Sequence, residues 1–222
     1  MRIIDQGYKI KLLASFDQQL NLIEDCGRVA YASEDKIADG SSKQFAKMIM
    51  GKNHGAVLEH SILTVIFVTD RGVSHEIVRH RLASYTQEST RFCNYAKDKF
   101  NGSVTYIRPV WIDKDWVENH GPEPVFGGNS AEDHWWQVCN LAEDYYLRLL
   151  KLGWTPQQAR SVLPNSLKTK IAVTTNFREW QHIFRLRAIS KAAHPQMRDL
   201  MIPLYEDCRT LCPEVFELGD VE

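Results

Sequence analysis

Along the first third of the chain, apolar positions recur at three- and four-residue steps: Leu20, Ile23 and Cys26, then Phe45, Met48 and Ile49. That spacing predicts amphipathic helices. The pattern then changes. Residues 61–69 (SILTVIFVT) are mostly β-branched or aromatic and too short for a typical helix, which predicts a buried strand closed by a turn at Asp70-Arg71-Gly72. A short helix is expected from about Val73, a polar stretch dotted with aromatics from Ser84 to Tyr95, and a second strand from Ser103 to Val110. Residues 112–130 hold Gly121, Pro122, Pro124, Gly127 and Gly128 among charges and read as a long surface loop.

The loop leads straight into a helix. Ser130 and Asp133 have the spacing of a capping box, and Trp135, Val138, Leu141, Tyr145, Leu149 and Leu152 form one apolar stripe, the pattern of a core-facing side, ending at Gly153. Thr155-Pro156-Gln157-Gln158 is a cleaner helix start, with a hydroxyl cap, a proline in the first turn and Pro164 to stop it. Leu167 to Thr175 alternates as a strand does, and the chain from Phe177 reads as helix until His194-Pro195. Strands interleaved with long helices indicate α+β or α/β with one main sheet. The pattern alone does not decide the topology.

Composition narrows the class. The 222 residues are long enough to bury a core without staples, and 44% hydrophobic with 25% charged is globular rather than disordered. Lys and Arg number 27 against 28 for Asp and Glu, so the net charge of −1 argues against coating nucleic acid or an anionic membrane. No apolar run spans a bilayer and the first residues do not form a signal peptide. Five scattered cysteines (Cys26, Cys93, Cys139, Cys208, Cys212) suit reduced thiols in a cytoplasm. Cys208 and Cys212 would share a helix face but lack two further ligands, and no metal is expected.

The densest chemistry lies in residues 75–95, where Arg79, His80, Arg81 and Arg91 surround Ser84, Thr86, Ser89 and Thr90. Guanidinium forks and hydroxyls suit phosphate recognition. If Arg79 and Arg81 lay on a helix they would point roughly 200° apart, toward two different anionic groups or two subunits. In the segment after Asn176, Arg178, His182 and Arg185 fall within about 60° on a helical wheel. Arg187 falls on the other side, beside Trp180, Ile183 and Phe184. An arginine on an apolar face is costly unless it is paired or meets a ligand in a dry pocket. Arg160 sits on the short capped helix, where a plain surface role and a ligand role are both open. His54 and His60 flank Glu59 in no known zinc spacing. Ser89 has no nucleophile elbow around it.

These segments carry a resemblance. RHRLASYTQES is Arg-His-Arg, seven residues, then Ser, and resembles the signature of the flavin-dependent thymidylate synthases. NHGAVLEH resembles that family's His-x(4)-Glu-His segment, TPQQARSVLP its substrate-arginine helix, and TTNFREWQHIFRLR with AHPQM its cofactor helix and the segment after it. The matches keep family order from about residue 28 to residue 201. The resemblance implies a single α+β domain over residues 1–222, with a central, mostly antiparallel sheet flanked by helices. It also implies a homotetramer binding FAD, and conversion of dUMP to dTMP with 5,10-methylenetetrahydrofolate as carbon donor and NADPH as reductant. By the same resemblance the dUMP site comprises Glu76, Arg79, Gln87, Glu88, Ser89, Thr90, Arg91, Arg160 and Arg187, with Arg187 activating the uracil. The FAD site comprises His54, Ala56, Glu59, Arg79, His80, Arg81, Asn176, Arg178, His182 and His194.

The chain departs from the family pattern at several of these positions. Glu76 stands where some relatives have Gln, Gln87 replaces a carboxylate, Ala30 and Ala56 stand where hydroxyl residues occur, and His182 stands where others have Asn. No cysteine sits between a proline and a histidine, as the folate-only thymidylate synthases require. Two rivals remain at this level: a flavin oxidoreductase that has lost methylation, and a nucleic-acid-binding module using Arg79, Arg81 and Arg91. The near-zero net charge speaks against the second. The loop at 112–130 and the acidic tail at 213–222 receive no role.

Overall fold

The structure, a computed structural model, describes residues 1–120 and 128–221. In chain order the elements are β1 (Arg2–Ile4), β2 (Gly7–Lys11), α1 (Phe16–Val29), α2 (Ser41–Gly51), β3 (Ile62–Asp70), α3 (Arg71–Ile77), β4 (Ala83–Gln87) and β5 (Thr105–Ile107). They continue with α4 (Lys114–His120), α5 (Ala131–Lys151), α6 (Pro156–Ala159), β6 (Lys168–Asn176), α7 (Phe177–Phe184), α8 (Pro195–Leu211) and α9 (Pro213–Phe216).

The fold is α+β with an antiparallel sheet. Four strands take the order β2-β3-β6-β4, and a separate parallel pair sets Arg2 of β1 opposite Thr105 of β5. The direction of the central pair follows from its contacts. The hydroxyls of Thr64 and Thr174 meet at 2.8 Å, while the carbonyl of Ser61, three residues before Thr64, accepts from the N–H of Phe177, three residues after Thr174. Both central strands bury every second residue: Leu63, Val65, Phe67 and Thr69 on β3, and Thr169, Ile171, Val173 and Thr175 on β6. That period of two is the reason both were legible in the sequence.

Several sequence expectations are corrected. The turn at 70–72 is the first turn of α3, because the Asp70 carboxylate accepts from Val73 N–H at 2.6 Å and starts the helix there. The polar stretch after Ser84 contains β4, and the second strand shrinks to Thr105–Ile107. Part of the expected loop at 112–130 is helix α4, while residues 121–127 lie outside those described. The acidic tail opens with α9, whose Val215 and Phe216 are buried; Glu222 lies outside the described residues.

The apolar stripe on α5 is also corrected. The capping box of Ser130 and Asp133 is present, but the buried side is Asp133, Trp136, Cys139, Ala142, Glu143 and Tyr146. Val138, Leu141, Tyr145 and Leu152 are exposed. The inward carboxylates are accommodated because each has partners: Glu143 accepts from Val104 N–H at 2.7 Å and meets the N-terminal ammonium at 2.6 Å. Buried charge with such partners is tolerated, and hydrophobicity counting then selects the wrong face.

The chain forms two compact units, each discontinuous in sequence: residues 1–7, 68–77 and 86–171, and residues 8–67, 78–85 and 172–222. In the first, Tyr95, Val104, Tyr106, Cys139, Tyr146, Ala159 and Leu167 make the core. In the second, Phe16 packs on Phe177, Phe177 on Phe216, Phe216 on Phe184, and Phe184 on both Trp180 and Tyr205, with ring centroids 5.2–5.8 Å apart. Each such buried aromatic contributes roughly 2–3 kcal/mol. Gly27 lets α1 approach α2, since a Cβ there would lie 2.5 Å from the Phe45 ring. No helix among the described residues is long and apolar enough to cross a membrane.

Candidate active site

In the second unit the site is built on α7. Asn176 caps the helix, its side-chain oxygen accepting from Glu179 N–H at 2.8 Å. Phe177, Trp180 and Phe184 fill the core, and the Trp180 indole donates to the Leu63 carbonyl at 2.9 Å. Burying that side turns Arg178, His182 and Arg185 outward, where they line a cleft of about 630 Å³ with Asn176, Glu59 and Leu82. The helical spacing predicted this shared face. Arg178 pairs with Glu59 at 2.6 Å, and Gly55 admits the arginine stem, because a Cβ there would lie 3.2 Å from Arg178 Nε. His54 Nδ1 meets the Tyr31 hydroxyl at 2.8 Å, Ala56 is exposed beside Gly55, and His194 caps α8 by accepting from Gln196 N–H at 3.2 Å.

The Arg-His-Arg segment follows the end of α3 at Ile77, so the helical-wheel expectation of divergent arginines does not apply. Instead exposure alternates: Arg79 and Arg81 are exposed and His80 is buried. The His80 carbonyl accepts from the Tyr85 hydroxyl. Its ring Nε2 accepts from Arg187 Nε at 3.2 Å, its Nδ1 lies 3.5 Å from Glu179 Oε1, and the His182 ring stands edge-on at 5.8 Å. Burial pushes the His80 pKa down to about 4, with the charges of Arg187 and His182 adding to the effect. The ring is therefore neutral at pH 7. Burial also raises the Glu179 carboxyl above its ordinary range, opposed by His182.

Arg187 lies past the end of α7, in a π-helical turn over Arg185–Ile189 in which Ser190 N–H reaches back to the Arg185 carbonyl at 3.1 Å. Such turns are frequent at functional sites. The residue is half-buried, and the cost expected of an arginine on an apolar face is met by the imidazole. Among the described residues, His80, Glu179 and His182 bring potential ligand atoms within 4.8 Å of one another. The Arg187 guanidinium already occupies Nε2 of His80 and repels a second cation there.

In the first unit a cavity of about 440 Å³ is lined by Arg71, His75, Thr90, Gln157, Arg160 and Asn165, among others. Arg160 donates to the hydroxyl of buried Thr90 at 2.9 Å, and Arg91 Nε donates to Gln157 at 2.8 Å. The structure thus brings Thr90, Arg91 and Arg160 together. Gln87 donates to Ser74 at 2.9 Å and Thr169 at 3.2 Å, Glu88 pairs with Lys168 at 2.5 Å, and the Ser89 hydroxyl accepts from Arg91 N–H at 3.3 Å. Glu76 lies half-buried on α3.

Sequence reasoning did not assign Arg71, His75 or Gln157 to a site: Arg71 reads as part of a turn, while His75 stands in the 75–95 stretch and among the candidate histidines, and Gln157 in a quoted motif. It also left Arg185 out of the site residues, although the wheel had placed it beside Arg178. Three buried thiols are held protonated, Cys139 pushed up to about 11 and Cys208 and Cys212 to about 12 by burial.

Comparison with known proteins shows the family. Residues 11–214 match the family described as "Thymidylate synthase complementing protein". The flavin-dependent thymidylate synthase of Geobacter sulfurreducens is 32% identical over 219 residues, 94% of this chain and 85% of that protein. The flavin-dependent thymidylate synthase of Thermococcus onnurineus is 29% identical over 193 residues, 84% of this chain and 73% of that protein. Among solved structures, the UMP/dUMP methylase PolB of Streptomyces cacaoi, bound with 5-Br dUMP, has a TM-score of 0.71 at 24% identity, covering 98% of this chain and 96% of that one. That likeness is one of fold.

Proposed function

Because the chain belongs to the flavin-dependent thymidylate synthase family, we propose that it converts dUMP to dTMP with 5,10-methylenetetrahydrofolate as carbon donor and NADPH as reductant. The observation that carries the reading is Arg187: a half-buried guanidinium held at Nε by a neutral imidazole. Uracil C5 must become nucleophilic to accept a one-carbon unit. Arg187 beside the base favours loss of the N3 proton, and the resulting negative charge spreads through the ring toward C5.

The cleft on α7 fits a flavin dinucleotide in its donor set: guanidinium groups for phosphates, and a carboxamide and an imidazole for a ring edge. Asn176, Arg178 and His182 line that cleft with Glu59, and His54, Ala56, Arg79, His80, Arg81 and His194 complete the proposed FAD residues. When bound, FAD supplies the redox chemistry that carries a hydride between nicotinamide and nucleobase. The nucleotide is held by Glu76, Arg79, Gln87, Glu88, Ser89, Thr90, Arg91 and Arg160, of which Thr90 and Arg160 line one cavity with Arg71.

The enzyme is proposed to act as one domain over residues 1–222 and to assemble as a homotetramer, a reading supported by the exposed Val138, Leu141, Tyr145 and Leu152 of α5. It is placed in the cytoplasm, where its five unpaired cysteines stay reduced.

The test is anaerobic NADPH oxidation with added FAD, with and without dUMP, followed by mass analysis of the nucleotide when the folate is present. Oxidation that needs FAD, responds to dUMP and ends in dTMP is expected. FAD-dependent oxidation that is indifferent to dUMP and yields no dTMP would replace this reading with a flavin oxidoreductase that has lost methylation.

A further inference from the structure

We infer that His80 is a positioning residue that fixes the guanidinium of Arg187. The inference rests on the reading of Arg187 as the group that activates the uracil. Its basis is a hydrogen bond inside one unit, from Arg187 Nε to His80 Nε2 at 3.2 Å, with the Glu179 carboxyl 3.5 Å from the other ring nitrogen.

The chemistry of the donors decides the rest. An arginine Nε always carries hydrogen, so Nε2 of His80 accepts. A neutral imidazole has one N–H, so its proton sits on Nδ1, facing the Glu179 carboxyl. The Arg187 contact thereby selects one tautomer. The other groups around the ring are His182, edge-on at 5.8 Å, and the Tyr85 hydroxyl, which donates to the His80 carbonyl. Burial disfavours the imidazolium and so preserves the acceptor.

A neutral partner has a specific advantage. A carboxylate in the same place would hold Arg187 as firmly but would cancel the positive charge needed against a developing anion. The imidazole sets the direction of the guanidinium fork and leaves its charge intact. The π-helical turn gives Arg187 its place: buried Phe184 and Ala188 anchor its two sides, and Leu186 points to solvent.

Two variants separate the acceptor from the packing. His80→Phe keeps a ring in the buried space without an acceptor. His80→Gln keeps an acceptor oxygen near the place of Nε2. With flavin bound and dUMP saturating, His80→Phe lowers kcat between about tenfold and about 100-fold, the cost of a misplaced catalytic group. Its KM for dUMP stays within about threefold, because only an interaction made in the transition state is lost. His80→Gln recovers most of the loss and is readable alone, since it fails if the imidazole itself is required.

Crystal structures of the variants locate Arg187 directly, whatever reaction the protein catalyses. A guanidinium displaced in His80→Phe and in place in His80→Gln is expected. An unmoved guanidinium in His80→Phe, or equal loss of kcat in both variants, overturns the inference. Wild-type protein that forms no dTMP overturns the reading of Arg187 instead, and the guanidinium's position still decides the role of His80.

Discussion

Lys168 and Arg187 are both part-buried cations, one in each compact unit, and they are held in opposite ways. Lys168 meets the Glu88 carboxylate at 2.5 Å with little of either side chain exposed, so its charge is matched within the protein. Arg187 meets an imidazole whose pKa is pushed down to about 4, so at neutral pH that contact fixes its direction without removing its charge. The first arrangement neutralises a cation within the protein. The second, on the proposed reading, orients a guanidinium for a ligand, and a part-buried cation is therefore to be judged by the contacts that direct it as much as by its burial.

The contrast can be broken from either side. Removing one member of the Lys168–Glu88 pair leaves a buried charge uncompensated, and Lys168→Met destabilises by about 3–5 kcal/mol in denaturant titration, while Lys168→Met with Glu88→Leu recovers most of it. A destabilisation below about 1 kcal/mol in the single variant would mean the pair is solvated.

His80 gives an effect on the order of 3 kcal/mol through pH. Its folded pKa lies below the unfolded value, so the unfolded chain binds more protons as pH falls. Stability is lost between about pH 6.5 and pH 4, and above that window His80 contributes no slope. Urea titrations across this window give a shallower loss for His80→Gln than for wild type; equal slopes would show that His80 is not held neutral.

Arg187→Lys sharpens the comparison, because it keeps the charge and loses the planar fork anchored at Nε. Turnover drops about 100-fold despite the conserved charge, and a loss under about threefold would show that charge alone suffices. The smallest effect belongs to the exposed Arg178–Glu59 pair: Glu59→Gln shifts stability by less than about 1 kcal/mol.

Much of this was legible in the sequence where a local rule governed. The period-two strands β3 and β6, the capping boxes at Ser130 and Thr155, and the shared face of Arg178, His182 and Arg185 all depend on neighbours in the chain. β4 was not legible, because it is a short edge strand of small and polar residues. The core face of α5 was misread because its carboxylates find partners far away in sequence, Glu143 with Met1 and Val104. The cost of Arg187 on an apolar face was visible, and its resolution was not: His80 lies 107 residues away.

The central claim is the proposed reading that Arg160 binds the nucleotide and Arg187 activates it. The most direct test measures kcat and KM for dUMP in Arg160→Ala and Arg187→Ala, side by side and saturated with flavin. The account predicts a raised KM with kcat nearly kept in Arg160→Ala, and in Arg187→Ala a kcat lowered about 100-fold or more with flavin still bound. Near-normal turnover in Arg187→Ala, or the same kinetic change in both variants, would contradict it.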